Sequence, residues 1–179
     1  MADYTFLTAW RVAAAREAVF DVLHESERWP EWWDGLERVV KLEEGDAEGR
    51  GSLGRYTWRS VMRYRLEFEM RITHVDRPYR MDGAAGGELA GTGSWRLYDD
   101  DGATAVLFEW RVRTTRWWMN ALTPVARPVF RWNHDRLMRA GGRGLARRLG
   151  VELLSGAPTP GWAACSGPSS RSAAPRPRR

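Results

Sequence analysis

The sequence predicts an α+β domain in which a curved, mostly antiparallel sheet of about seven strands closes around one long C-terminal helix. Three observations carry that prediction. Residues 62–75, MRYRLEFEMRITHV, place Met62, Tyr64, Leu66, Phe68, Met70 and Ile72 on one face of a strand. Arg63, Arg65, Glu67, Glu69, Arg71 and Thr73 take the other face, which is the period-two pattern of a half-buried strand. The pattern recurs in residues 104–114, where Val106, Phe108, Trp110 and Val112 oppose Glu109, Arg111 and Arg113. Third, a helical stretch ends the folded part, with Phe130, Asn133, Leu137, Met138, Gly141 and Leu145 as its inner stripe.

The elements follow in order. Residues 4–12 read as a strand, and REAVFDVLHE (16–25) as a short helix with Val19, Phe20, Leu23 and His24 at helical spacings. WPEWWDG (29–35) sets Trp29, Trp32 and Trp33 at i, i+3 and i+4, one side of a single helical turn. Strands follow at 36–43, 51–59, 62–75, 78–84, 88–98 and 104–114, and YDDDGAT (98–104) is a turn. The last helical region begins near Trp117 and runs to Leu149. Thr123-Pro124 and Arg127-Pro128 are expected to break or kink its start, leaving Pro128–Leu149 uninterrupted over about 33 Å.

Composition narrows the function classes. No run approaches the ~18 apolar residues of a membrane span, and the start MADYTFLTAW does not read as a secretory signal. The lone Cys165 fits a reducing cytoplasm. Residues 151–179 read as a disordered tail; from 155 on they hold Arg171, Arg176, Arg178 and Arg179 and no acid. Without those four the formal charge falls from +5 to 5 − 4 = +1, so the domain lacks the basic excess of a nucleic-acid binder.

Chemistry-bearing patterns are few. His24, His74 and His134 do not share a metal-ligand spacing, so no metal and no cofactor is expected. In WNHD (132–135), His134 and Asp135 are helix neighbours that point apart, so they do not make a hydrogen-bonded dyad. A G-x-S-x-G elbow is lacking, and the glycines of GGELAGTG fit bends where a sheet curls. Glu67 and Glu69 read as a solvated ladder opposite arginines, while the strand face shared by Arg55 and Arg59 is harder to assign.

One helix can cover the apolar face of such a sheet only if the sheet wraps it, and a wrap with large aromatic linings leaves room for a ligand. Parity and helical spacing give the candidate lining. It comprises Trp33 of the tryptophan turn, Tyr56 and Trp58, then Tyr64, Leu66, Phe68 and Met70. Trp95, Phe108 and Trp110 follow, with Phe130, Asn133 and Leu137 from the helix. The tryptophan turn either closes one end of this hollow, with Trp33 against ligand, or only packs the short helix onto sheet and long helix.

Three stretches resemble one superfamily: FDVLHESERWPEWWDGLERV, GELAGTGSWRLYDDDGATAVLFEWRV and WWMNALTPVARPVFRWNHDRLMRAGGRGLARRLG. They are similar to the SRPBCC proteins (START-related, helix-grip), in the bacterial polyketide cyclase/dehydrase-like branch, over roughly residues 4–150. The resemblance implies a curved seven-stranded sheet gripping the terminal helix, with two short helices near the N-terminus. It also implies a cavity for lipids, polyketides, quinones or hormone-like molecules. Three functional readings stand at this point. The first is a carrier or sensor of a hydrophobic small molecule. The second is a polyketide aromatase/cyclase promoting aldol closure and dehydration without metal. The third is a protein- or membrane-surface module using Trp117 and Trp118. The patterns do not specify an oligomeric state.

Overall fold

The computed structural model describes residues 3–59, 65–115 and 123–159 of the chain. Eight strands form one antiparallel sheet in the order β2-β3-β4-β5-β6-β7-β1-β8. They are β1 (Asp3–Val12), β2 (Leu36–Glu43), β3 (Leu53–Arg59), β4 (Arg65–Asp76), β5 (Arg80–Gly87), β6 (Leu89–Asp100), β7 (Ala103–Thr114) and β8 (Leu153–Thr159). Helix α1 (Arg16–His24) and a 3-10 helix (Ser26–Glu31) connect β1 to β2, and α2 (Thr123–Leu149) joins β7 to β8.

The strand faces follow the alternation in the sequence. Along β4, Phe68 is buried while Arg65, Glu67 and Arg71 are exposed or nearly so. A register shift between Ile72 and His74 then lets Val75 turn inward, which a strict two-residue period does not anticipate. Arg55 lies on the outer face, 2.8 Å from Glu69, and Arg65 and Arg71 reach Glu37 and Glu43 at the same distance. Arg59 joins that outer face through Glu37 at 3.8 Å. The predicted turn is tight: Asp100 pairs with Ala103, and Asp101 and Gly102 have φ of 46° and 79°. Positive φ at both central residues matches the twist of a two-residue hairpin, which Asp-Gly supplies at low strain.

Two expectations about the C-terminal part are corrected. Arg127-Pro128 does not break the helix: α2 (Thr123–Leu149) runs through Pro128, while residues 116–122, before Thr123-Pro124, lie outside the described part. Lacking an amide hydrogen, Pro128 removes one helical bond, the one toward the Pro124 carbonyl, close to the N-terminal end of a 27-residue helix. The tail was expected to lack structure from 151, yet Leu153–Thr159 forms β8 and pairs with β1 from Leu7 to Val12. Leu153 packs against the core, and the Ala13 amide bonds the Glu152 carbonyl at 3.0 Å. A short run of two leucines and small residues, with a proline near its end, is thus ordered by an edge with free backbone groups, a signal that side-chain composition does not carry. The sheet accordingly has eight strands where seven were expected, and residues 160–179 lie outside the described part.

The interior divides along α2. Its second half meets a solid core containing Trp10, Val12, Val19, Phe20, Leu23, Val106 and Leu145, all at most 2 % exposed. The helix is narrow there. Cβ atoms added at Gly141 and Gly142 would run into the rings of Trp33 and Trp10, and one at Gly144 into the Trp32 carbonyl oxygen. Each indole buried against it removes about 150–250 Å² from water, about 4–6 kcal/mol at about 25 cal/mol/Å². The first half of α2 faces open space instead.

Candidate functional site

That space is a cavity of about 540 Å³ between the concave sheet face and α2. Its floor is aromatic. Trp95 (β6) and Phe108 (β7) stack with centroids 4.1 Å apart and planes 24° apart, and Trp110 follows Phe108 at 5.8 Å. Phe68 (β4) touches Trp110 at 5.6 Å and stacks on Tyr56 (β3) at 5.7 Å. Small residues make this possible: a Cβ at Gly93 would press on Trp110 at 2.9 Å. Where β5 and β6 carry glycine and alanine, rings from β4 and β7 meet across them.

The tryptophan turn forms one wall. The 3-10 helix ends at Glu31, and the Trp33 amide closes the turn on the Trp29 carbonyl at 2.7 Å. Trp33 is 2 % exposed and sits among Trp10, Trp29, Trp32, Trp58 and Trp95, at 5.2–6.3 Å. Its indole N–H donates to the Leu137 carbonyl at 2.8 Å, and that of Trp29 donates to the Leu23 carbonyl at 3.1 Å. Gly141, one turn on from Leu137, leaves space for that approach. Trp29 and Trp33 also line the cavity. The turn therefore packs helix against sheet and walls the hollow with the same rings.

Polar groups sit at the ends. Burial raises the Tyr56 phenol above its ordinary range, with a Ser26 hydrogen bond acting against that and the Glu27 charge adding to it. At one end the lining is charged: Glu25, Glu27, Arg28, Lys41, Glu44 and Asp46, from the 3-10 helix side, β2 and the β2–β3 loop. Glu27 and Glu44 side chains there are 50 % and 83 % exposed, so this end opens to solvent. His24 Nε2–H donates to the Glu48 carbonyl at 2.9 Å, tying α1 to the loop. At the helix end His134 stacks on Phe6 at 4.1 Å, and its Nδ1 stands 3.7 Å from Asp135 Oδ1, beyond hydrogen-bond reach. Asp135 does not line the cavity.

The sequence of this site matches a known family over residues 12–140, most of the chain: polyketide cyclase / dehydrase and lipid transport. The chain belongs to that family. Among solved structures it is similar to the Zhui aromatase/cyclase from a Streptomyces species, at 17 % identity and a TM-score of 0.68, covering 82 % of this chain and 93 % of that one. A START superfamily protein from Mycobacterium smegmatis aligns at 13 % identity and a TM-score of 0.66, covering 82 % and 97 %. The di-domain ARO/CYC BexL aligns at 17 % identity and a TM-score of 0.65, where 81 % of this chain spans 49 % of the larger protein. At such identities the likeness is one of fold, the helix-grip arrangement of sheet and terminal helix. No curated protein sequence matches the chain.

Of the residues picked out by parity and helical spacing, the family fold brings nearly all to this cavity. Trp33, Tyr56, Trp58, Leu66, Phe68, Met70, Trp95, Phe108, Trp110, Phe130, Asn133 and Leu137 line it. Tyr64, Trp117 and Trp118 lie outside the described residues. Sequence reasoning missed Tyr4 and Phe6, whose alternation in β1 was a usable signal, and His134, which it set on a flank. It also missed the charged opening, which the β2–β3 loop builds without any local pattern. Among the described residues no helix is long and apolar enough to cross a membrane, and no group of three His, Cys, Asp or Glu is placed to hold a metal ion.

Proposed function

We propose that the protein binds a flat, apolar, aromatic small molecule of polyketide or lipid-like character in this cavity, as its carrier or sensor. The observation that supports the reading is the aromatic floor: Trp95, Phe108 and Trp110 stack with successive planes 24° apart, Phe68 and Tyr56 stack at 12°, and the two sets join at a 43° tilt between Trp110 and Phe68. Such a surface rewards a planar guest by stacking and by removing apolar area from water. Native mass spectrometry of the protein purified from its own host tests it. The expected spectrum carries an extra mass that denaturation releases as an aromatic compound. Protein that arrives empty and whose tryptophan emission ignores a panel of planar aromatics would overturn the reading.

One observation favours a second reading, cyclisation of a poly-β-ketone. The buried Tyr56 phenol stays protonated and reaches the cavity, where it can donate a hydrogen bond to a carbonyl that becomes an enol. Zhui bears the description aromatase/cyclase and BexL the description di-domain ARO/CYC. The reading requires turnover of a poly-β-ketone analogue that Tyr56→Phe abolishes; equal rates in both proteins would remove it.

A further inference from the structure

We infer that the cavity selects uncharged ligands and turns away carboxylates and phosphates. The inference rests on the binding role proposed above and adds the charge class of the guest. Its first support is the opening. Glu25, Glu27, Glu44 and Asp46 line it against two cations, Arg28 and Lys41. Both cations are already engaged. Lys41 Nζ lies 2.7 Å from Glu27 and 3.5 Å from Glu44. Arg28 lies 3.4 Å from Glu25 and 3.1 Å from Glu31. Asp46 accepts from the Arg50 and Glu48 amides, at 2.8 and 3.1 Å, and the Arg50 guanidinium stands 3.8 Å from its carboxylate, so that nearby cation is engaged as well. An entering anion thus meets more carboxylates than cations in the lining of the opening, and Arg28, Lys41 and Arg50 are each already paired.

The interior supplies the second support. Beyond Arg28 and Lys41, the described lining carries no arginine or lysine. His134 borders the cavity, but both its ring nitrogens are sealed from it and its face is taken by Phe6. His24 spends its Nε2–H on Glu48. A carboxylate drawn inside would lose its hydration with no compensating cation, the costliest form of burial. Hydroxyl or carbonyl groups on an aromatic guest carry no such penalty, because a neutral polar group can bond Tyr56 or retain water at the opening.

Two isosteric probes separate the possibilities, 2-(hydroxymethyl)anthraquinone and anthraquinone-2-carboxylate, titrated by tryptophan quenching at low salt. The neutral probe is expected to bind at least tenfold tighter, a difference of about 1.4 kcal/mol. In the double variant Glu27→Gln/Glu44→Gln, Lys41 is released, and the affinity ratio is expected to move toward one by at least fivefold. A third probe, the aminomethyl analogue, needs only the wild-type protein and is expected to bind tighter than the carboxylate. Equal binding of the neutral and anionic probes, or a carboxylate preferred over the amine, overturns the charge selection while leaving the binding role intact. Failure of every probe to bind the wild-type protein overturns both.

Discussion

Gly144 stands where α2 crosses the tryptophan turn, and its missing side chain is the reason the two can touch. Alanine there would gain about 1 kcal/mol of helix propensity, but its Cβ would strike the Trp32 carbonyl oxygen, a backbone atom with little freedom to retreat. Gly144→Ala is therefore expected to lower stability by about 2 kcal/mol in a denaturant melt. Gly86→Ala, at a site with open space around the added carbon, is expected to match or exceed wild type. A Gly144→Ala protein as stable as wild type would contradict the tight crossing. Trp33 makes the complementary case. Trp33→Phe retains a ring but loses the N–H donated to Leu137, so a loss of about 1–2 kcal/mol is expected. Because Trp33 also lines the cavity, the quenching of emission by a bound planar probe should diminish in the same variant.

Among the elements, β8 contributes more than its composition indicates. It covers the outer edge of β1, pairs Gly156 with Trp10 and packs Leu153 against the core. Deleting residues 153–179 is expected to lower the unfolding midpoint well below that of a chain lacking only 160–179, since the first deletion uncovers Trp10 and strips one edge of β1. Equal midpoints would mean that the strand adds nothing. Helix α2 shows a division of labour along a single rod. Gly141, Gly142, Gly144 and Ala146 let its second half sink into the core, while Phe130, Asn133 and Leu137 on its first half face the hollow. The low helix propensity of that glycine run is compensated by the indole area buried against it.

At the level of the whole molecule, a cavity of about 540 Å³ lies beside a solid core, and Trp29, Trp33, Tyr56 and Trp95 belong to both, so stability and binding meet in the same rings. Tyr56 couples the two through pH. Burial lifts its phenol above the usual value near 10, so the folded chain holds that proton longer than the unfolded one. The associated stability is complete below about pH 10 and is lost as pH rises through the folded value, because the unfolded state then binds fewer protons. Stability measured from pH 9 to 11.5 is expected to fall more steeply in wild type than in Tyr56→Phe. Parallel curves would show that the phenol is not held in its neutral form.

Several features of this protein were decided locally and so could be read from the chain. The in-out alternation from Leu66 to Met70 and from Val106 to Val112, the Asp101-Gly102 hairpin and the inner stripe of α2 follow from side-chain order alone, because backbone periodicity sets which way each residue points. That logic also placed most of the aromatic lining. Other features depend on partners far away in sequence. The bulge after Ile72 inverts parity, β8 exists because β1 leaves an edge open, and Pro128 is tolerated near a helix start. The charged opening, in which Glu27 and Glu44 converge on Lys41 from separate elements, is likewise assembled only when the chain closes. Direction along a strand or helix is a property of neighbouring residues, whereas the meeting of distant edges, rings and charges is set by the packing of the whole sheet around its helix.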